Sequence, residues 1–362
     1  MMGRGTISLI APTMVIREPM ETHVVDGVEI VFQLTPETEA PAEMNFFFPQ
    51  FGVLNLAENG CHTMHNLCPL RGARTRDALA WSKYLDAALD EFIERTDVVI
   101  AQHHWPTWGR ERARRFIEEQ RDLYRVMHDQ CLRLMSHGLT PNEIAESFRM
   151  PASLEGRWHA RPYYGAITHN LRAVYAHYMG PYDGHPASLD PLPPDAAARK
   201  MLEYMGGVQP VLERAREDFE AGEYRWVVEV GRHLVFADPA NRAARELVAD
   251  AMEQLAYQSE STTWRNAYLL GAKELRLGAP KPGPGAVISR KVVSMLPMEM
   301  FFDYLAIRVN AEKAEGLRLL VDWRMTDEDD GHRLTLDHSA LSHRPGSHGA
   351  RAMATISTDR ER

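Results

Sequence analysis

The chain has 362 residues, 44% of them hydrophobic and 25% charged, which is the composition of an ordinary globular protein long enough for two or three domains. Its net charge of −9 argues against nucleic acid as a partner. It has no apolar run of about 18 residues, so no transmembrane segment is predicted. The first residues also lack the long apolar core of a signal peptide, so the chain as written is expected to be cytoplasmic.

The cysteines and histidines carry different information. Cys61, Cys68 and Cys131 are too few and too scattered for a disulfide framework or a zinc knuckle, and we expect free thiols, with a metal role as the weaker alternative. The 16 histidines of this acidic chain are better reasons to look for a metal site.

The first hundred residues are predicted to form an α/β layer. Residues 23–35 alternate around an Asp-Gly pair, as hairpins do, and the apolar runs at 43–50 and 53–58 indicate buried strands. Residues 76–96 have helical spacing, and residues 97–102 return as a strand. Strands followed by a covering helix and another strand are typical of an α/β layer.

A long helical region follows, from about residue 108 to residue 278. Gly138 is a plausible end of its first helix, and Thr140 with Glu143 has the spacing of a capping box. Residues 195–278 have the cadence of tetratricopeptide-like helical hairpins, too few for a long solenoid.

The stretch "GAPKPGPGA" at residues 278–286 has linker composition. Beyond it the pattern predicts a strand, a helix at "MEMFF" (298–302) and several further strands, which together indicate a small α+β domain.

Four segments with polar chemistry lie at predicted strand ends or in the loops beyond them, where α/β proteins collect ligands. They are "ETEAPAEM" with Glu37, Glu39 and Glu43; "NLAENGCHTMHNL" with Glu58, His62, His65 and Asn66; "PLRGARTRD" with Arg71, Arg74 and Arg76; and "AQHHW" with His103 and His104.

These residue types suit two kinds of ligand. Carboxylates and imidazoles hold the metal of a hydrolytic zinc or di-metal site, which lowers the pKa of bound water toward neutrality. The planar fork of Arg donates two parallel hydrogen bonds to a tetrahedral oxyanion such as sulfate or phosphate. Each signal alone is weak, because a lone Glu or His is more often a surface or capping residue than a metal ligand, and an Arg cluster is as often a solvated face as an anion site. Trp105 and Trp108 are expected to be core or pocket wall, and His62 and His65 to support neighbouring ligands.

Successive blocks of the sequence resemble the alkyl sulfatases with a metallo-β-lactamase fold, the family that hydrolyses dodecyl sulfate. The blocks include "TEAPAEMNFFFP", "NLAENGCHTMHNLCPLRGARTRDALAWSKY", "AQHHWPTWG", "RPYYGAITHN", "YRWVVEVGRHLVFADP" and "TTWRNAYLLGAKELR". They run in order through nearly the whole chain, and the length of the blocks makes the resemblance specific.

The resemblance implies a mixed fold in three parts. Residues 1–120 would be the C-terminal part of an α/β metallo-β-lactamase-like catalytic domain, and residues 121–278 an all-α, tetratricopeptide-like dimerisation domain. After a linker at 279–286, residues 287–362 would be part of an α+β domain like sterol carrier protein 2. A homodimer follows from the dimerisation domain. Family members are often exported.

The resemblance also implies roles for individual residues. It assigns Glu39, Glu58 and His103 as metal ligands of a centre with two zinc ions, and Asn66 and Arg71 as the residues that hold the sulfate of an alkyl sulfate substrate. The leaving-group acid of the family lies in the dimerisation domain, where His169, with Tyr164 nearby, is our assignment.

One family motif, His-x-His-x-Asp-His, does not occur in the 362 residues. We therefore expect a chain that begins midway through the catalytic domain, binds zinc incompletely and has little activity of its own. The alternatives are a non-catalytic helical dimerisation module and a tetratricopeptide-like scaffold without chemistry. Zinc content and dodecyl sulfate turnover distinguish the enzyme fragment from the dimerisation module, and loss of alkyl sulfate affinity in Arg71→Ala would count against the scaffold.

Overall fold

A computed structural model describes residues 12–279, 296–326, 331–346 and 351–359. The described residues fall into two compact units. Residues 16–279 make the first, and the described residues from 296 onward belong to the second.

Strands and helices follow one another in the order that the sequence patterns indicate. The strands are β1 (Met20–Val25), β2 (Val28–Leu34), β3 (Met44–Phe48), β4 (Val53–Asn55), β5 (Val98–Ile100), β6 (Thr107–Trp108), β7 (Leu319–Met325), β8 (Gly331–Asp337), β9 (Ala340–Pro345) and β10 (Ala354–Thr358). The helices are α1 (Ala78–Phe92), α2 (Arg110–Ser136), α3 (Pro141–Ser147), α4 (Ala152–Glu155), α5 (Ile167–Met179), α6 (Pro194–Tyr204), α7 (Val208–Glu220), α8 (Tyr224–Ala237), α9 (Arg242–Gln258), α10 (Thr262–Leu277) and α11 (Met298–Ala306).

The first unit contains a sheet in which β1 to β6 are neighbours in chain order. The predicted hairpin is present: β1 and β2 pair antiparallel, and positive φ angles of 48° at Asp26 and 79° at Gly27 make the tight turn between them. The one parallel pair within this sheet is β4 with β5, and α1 makes the crossover between the two strands.

The strand directions bring three loops to one edge of this sheet. The ends of β4 and β5 point the same way because these strands are parallel. The end of β2 and the start of β3 lie at the same edge, since β3 runs antiparallel to both β2 and β4. The loop at 35–43, the loop at 56–77 and the segment at 101–106 therefore begin side by side.

Helix α1 joins the sheet to the helical region through aromatic contacts. Phe92 of α1 stacks on Phe47 of β3 with ring centroids 5.1 Å apart, and Trp81 stacks on Tyr124 of α2 at 4.6 Å. All four rings are almost completely buried. Stacked aromatic pairs add to the stabilisation from burial, so α1 is held to the sheet near its C-terminus and to α2 near its N-terminus.

The start of the helical region follows its local signals. Helix α2 ends at Ser136 and is followed by Gly138 at φ +84°, and Thr140 makes the predicted capping box with Glu143. The predicted domain boundary at residue 120 falls inside α2, and it stays a prediction.

Helices α6 to α10 pack mainly on their neighbours in sequence, and α8 also packs on α6. Their tetratricopeptide-like character and the metallo-β-lactamase-like character of the preceding sheet stay predictions. None of the helices in the described ranges is long and apolar enough to cross a bilayer.

The second unit packs α11 against a four-stranded sheet of order β10-β7-β8-β9, in which β10 and β7 are parallel. Phe302 of α11 is fully buried against Trp323 at 5.5 Å, and Arg333 and Asp322 form a buried ion pair. The mixed α/β character and the C-terminal sheet are thus confirmed. The strand predicted just after residue 286 lies outside the described residues, and the likeness to sterol carrier protein 2 stays a prediction.

The packing of α8 on α9 depends on Gly231. A Cβ atom at this position would overlap Cγ2 of Val248, whose branched side chain has little freedom to move. We expect Gly231→Ala to lower the free energy of unfolding by about 1–3 kcal/mol, measured by urea denaturation.

The matched control is Gly271→Ala in α10, where a Cβ would lie 3.0 Å from Sδ of the flexible Met252. This change should be neutral or stabilise the chain by up to about 1 kcal/mol through helix propensity. Equal effects of the two substitutions would contradict the packing argument.

Candidate functional site

The loops at the sheet edge bring together five side chains, which we call the carboxylate–histidine cluster: Glu39, Glu43, Glu58, His65 and His103. His103 Nε2 lies 2.8 Å from Oε1 of Glu58, and His65 Nε2 lies 3.7 Å from Oε2 of the same carboxylate. On its other side, His65 Nδ1 lies 3.5 Å from Glu39 Oε2. Oε1 of Glu43 accepts a hydrogen bond of 3.4 Å from the backbone N–H of Glu58.

Burial favours the neutral forms of Glu39, Glu43 and His65. Burial raises the pKa of Glu39, with the Glu58 and Glu43 carboxylates adding to the rise, although the Arg76 guanidinium opposes it. Burial likewise raises the pKa of Glu43. For His65, burial and then the charge of Arg76 lower the pKa to about 3. His65 is therefore a neutral imidazole near pH 7.

A buried chain of amides holds the backbone next to Glu58. Asn59 Nδ2 donates to Thr35 Oγ1 and to Asn45 Oδ1, both at 2.9 Å, and Asn45 Nδ2 donates to Gln33 Oε1 at 2.9 Å. The indole N–H of Trp81 donates to the carbonyl of Asn59 at 3.0 Å. Strands β2 and β3 and helix α1 thus all contribute to the position of this loop.

The loop at 56–77 also carries the residues that the sequence assigned to sulfate. Asn66 is 4% exposed, and its Oδ1 accepts a hydrogen bond from Nη1 of Arg76. Arg71 is exposed on the same loop, and its charge acts on Glu39 and on Arg76. Arg76 is 5% exposed and forms an ion pair with Glu39.

The two residues assigned to proton transfer come from a different part of the chain but contact the same loop. His169 Nε2 lies 2.7 Å from the carbonyl oxygen of Cys68, so Nε2 carries the proton of the neutral ring and Nδ1 does not. The ring of Tyr164 lies edge-on to His65 at 5.0 Å. The hydroxyls of Ser261 and Thr263, at the start of α10, donate to the carbonyl of Tyr164 at 2.8 and 2.9 Å.

One of the two expectations for the tryptophans is wrong. Trp105 and Trp108 are 58% and 66% exposed and are not core residues, because they lie in and beside β6, the outermost strand of its sheet, whereas a role as pocket wall stays a prediction. The ring of His62 packs among aromatic side chains. It stacks on Phe116 at 4.7 Å and contacts Trp105 at 5.1 Å, measured between ring centroids. All three cysteines are free thiols, as expected.

Two residues that the sequence patterns did not assign complete the site. Arg76 appeared only as one of three loop arginines, with no sign of its burial. Asn170 of α5 had no signal at all, yet its fully buried amide bonds the backbone on both sides of Asn66.

The cluster offers donors for a metal but does not complete a metal site. Glu58 and His103 present an oxygen and a nitrogen 2.8 Å apart, which are donor types that zinc takes. Glu39 is engaged with Arg76. Within the ranges that the structure describes, no group of three or more His, Cys, Asp or Glu side chains is arranged to hold a metal ion.

The half-buried His62 predicts a dependence of stability on pH. Burial, with the charges of His104 and His159 adding, lowers its pKa from 6.5 to about 4. The unfolded chain then binds this proton more readily than the folded chain, so stability is lost as pH falls below about 6.5. From about pH 7 to about pH 5, the free energy of unfolding should fall by about 1 kcal/mol more in the wild type than in His62→Phe, after allowance for solvent screening.

Chemical denaturation of both proteins at the two pH values measures this difference. His137→Phe is the control, because His137 is exposed and should leave the wild-type dependence unchanged. Parallel pH profiles for the wild type and His62→Phe would refute the prediction.

Comparison with known proteins shows which family of proteins this chain resembles. Residues 140–278 match the family model for alkyl sulfatase dimerisation, and residues 286–362 match the model for the alkyl sulfatase C-terminal domain. Alkyl/aryl-sulfatase BDS1 of Saccharomyces cerevisiae is 52% identical over 344 residues, which are 95% of this chain and 53% of the relative. An (R)-specific secondary-alkylsulfatase of a Pseudomonas species is 48% identical over 353 residues, 97% of this chain and 53% of the relative.

A solved structure shares the fold along almost all of the chain. It is the stereoselective inverting sec-alkylsulfatase Pisa1 from a Pseudomonas species, with a TM-score of 0.94, 47% identity and coverage of 97% of this chain and 55% of that one. The chain thus spans about half the length of the relatives it matches. With both domain models matched and the resemblance of its motifs confirmed, the chain belongs to the alkyl sulfatase family.

Proposed function

We propose that this chain provides the sulfate-binding residues and part of the metal centre of an alkyl sulfatase, which hydrolyses linear alkyl sulfates such as dodecyl sulfate to alcohol and sulfate. The observation that supports this most is the position of Asn66. Asn66 directly follows His65 of the carboxylate–histidine cluster in the chain, and the exposed Arg71 lies on the same loop. The names of the relatives, all alkyl- or aryl-sulfatases, point to the same reaction.

In this proposal Asn66 and Arg71 hold the sulfate group. Arg71 forms no ion pair with any residue in the described ranges, and a guanidinium binds a tetrahedral oxyanion through two parallel hydrogen bonds. Binding of the anion would also place the ester beside Glu58 and His103. The sulfate head group is thus bound by hydrogen-bond donors, and the carboxylates remain for the metal.

Glu39, Glu58 and His103 are proposed to bind zinc, in a centre with two ions. Glu58 and His103 fit this role in donor type and proximity, whereas Glu39 must first be released from Arg76. The described residues do not close the coordination shell of either ion, so the remaining ligands would come from elsewhere. Zinc, when bound, would lower the pKa of a coordinated water.

His169 and Tyr164 are proposed to serve the leaving group. The hydrogen bond from His169 Nε2–H to the Cys68 carbonyl fixes the ring and leaves Nδ1 as the atom that gains or loses a proton. The start of α10 holds the backbone of Tyr164. Both residues therefore belong to the helical region, but the loop at 56–77 fixes the ring of His169.

The match of residues 140–278 to a dimerisation domain supports a homodimer. It also favours the second candidate function, a non-catalytic helical dimerisation module. The two functions differ in a measurable way, since the module would need neither zinc nor a substrate.

We expect the 362-residue chain alone to show little or no release of sulfate from dodecyl sulfate. Supplied with the part of the yeast alkyl/aryl-sulfatase that lies outside the matched segment, and with zinc, it should gain activity. Under those conditions Glu58→Gln and His103→Ala should each lower bound zinc and reduce kcat at least 100-fold, because outright loss of a ligand is more severe than the roughly 10–100-fold loss seen for ligand-orienting residues. Sulfate release and metal analysis measure both effects.

Glu111→Gln, a change at an exposed carboxylate in the first turn of α2, is the matched control and should leave zinc and activity unchanged. Full activity of the Glu58 and His103 variants would refute the metal assignment. Absence of activity and of zinc in every combination would favour the dimerisation module.

Sedimentation velocity tests the homodimer directly. At micromolar concentration the dominant species should have twice the 41.1 kDa mass of the chain. A species of single-chain mass throughout the concentration series would contradict the dimer.

A further inference from the structure

The amide of Asn66 is held in one orientation by the residues around it. Its Oδ1 accepts a hydrogen bond from Nη1 of Arg76, while its Nδ2 donates to no partner within the described residues. The residue as a whole is 4% exposed, but Nδ2 is not among the fully buried side-chain atoms that lack a hydrogen-bond partner, so this N–H₂ group is open to solvent or to a ligand.

The orientation follows from chemistry. A guanidinium has five N–H donors and no acceptor, so only the oxygen of the amide can face Arg76. The flipped amide would bring the N–H₂ group against another donor. Asn66 therefore turns its two side-chain N–H bonds away from Arg76.

Arg76 is itself held firmly. Its Nε donates to the carbonyl of Glu39 at 3.1 Å, its Nη1 donates to the carbonyl of Asn66 at 2.5 Å, and its charge is compensated by the Glu39 carboxylate. A planar guanidinium can bridge these groups at once, whereas the compact ammonium of a lysine cannot.

The side-chain amide of Asn170 in α5 bonds the backbone on both sides of Asn66. Asn170 Oδ1 accepts from the backbone N–H of Leu67 at 2.9 Å, and Asn170 Nδ2 donates to the carbonyl of His65 at 2.8 Å. The Asn170 side chain is fully buried. It pairs with residues 65 and 67 much as a neighbouring strand would, so the backbone at Asn66 cannot rotate independently of α5.

We propose that Arg76 and Asn170 are positioning residues that fix Asn66 with Nδ2 as a hydrogen-bond donor to an anion. This inference rests on the proposed function. Arg71, on the same loop and without an ion pair in the described part of the chain, supplies the positive charge that makes an anion the matching ligand. Asn66 would touch the anion, whereas Arg76 and Asn170 would act only through Asn66.

The test uses the full chain and inorganic sulfate as the probe, at constant ionic strength. Side-chain amide signals of Asn66 are observed after ¹⁵N labelling of asparagine and are assigned by their loss in Asn66→Asp. In the wild type they should shift as sulfate is added. Arg76→Lys keeps the charge beside Glu39 but loses the fork, and it should weaken sulfate binding at least fivefold and broaden or double the Asn66 signals.

Arg74→Lys is the matched control, because Arg74 is an exposed arginine of the same loop without a hydrogen bond or ion pair in the described ranges. It should bind sulfate like the wild type. Asn170→Asp keeps the acceptor for Leu67 but loses the donor to His65, and it should weaken sulfate binding as Arg76→Lys does. A purely structural role of Arg76 would lower the melting temperature without doubling the Asn66 signals.

Wild-type sulfate affinity and unchanged Asn66 signals in Arg76→Lys would overturn the proposal and leave sulfate binding by Asn66 intact. The proposal would also be overturned if the Asn66 signals of the wild type did not shift on addition of sulfate. The hydrolysis experiment can fail while the Asn66 signals still respond to sulfate and depend on Arg76. That combination would support this inference and refute the proposed enzyme function.

If Arg76→Lys does not fold, the double variant Glu39→Gln/Arg76→Met takes its place, since removing both partners of a buried ion pair leaves no unpaired charge. Glu39→Gln alone is then the control. The double variant should lose sulfate affinity relative to that control, and equal affinities would overturn the proposal.

Discussion

The guanidinium of Arg76 is buried, so its positive charge needs an opposite charge and hydrogen-bond acceptors close to it. Glu39 provides the opposite charge, and Asn66 provides two oxygens. The same positive charge helps to keep His65 neutral, so that His65 can lie between two glutamates as an uncharged ring. The orientation of Asn66, and after burial also the protonation of His65, therefore depend on one partly buried ion pair.

The sheet brings the loops that carry the site to one edge. Strands β4 and β5 are parallel and α1 connects them, so Glu58 and His103 leave the sheet at the same edge although 45 positions separate them. The buried amides of Asn45 and Asn59 then hold the backbone beside Glu58 against neighbouring strands. Helix α5 closes the arrangement from the other side through Asn170.

Parts of the site could be predicted because their signals are local. Glu58 and His103 each follow a short apolar strand, and a polar residue directly after a strand is informative without any knowledge of its neighbours. The core position expected as one alternative for the tryptophans after His103 is wrong, although an aromatic residue near a strand is usually buried. Their exposure depends on β6 being an outermost strand, which is a property of the whole sheet.

The sequence by itself determined the order of strands and helices, the hairpin at Asp26, the capping box at Thr140 and the membership of the alkyl sulfatase family. Each of these depends on residues close together in the chain, or on long blocks of matching residues. Only the tertiary structure decided that Arg76 is buried and that Asn170 bonds the backbone around Asn66, about a hundred residues away. Such contacts have no periodic signal, because they depend on how α5 packs against a loop and not on the local conformation of either segment.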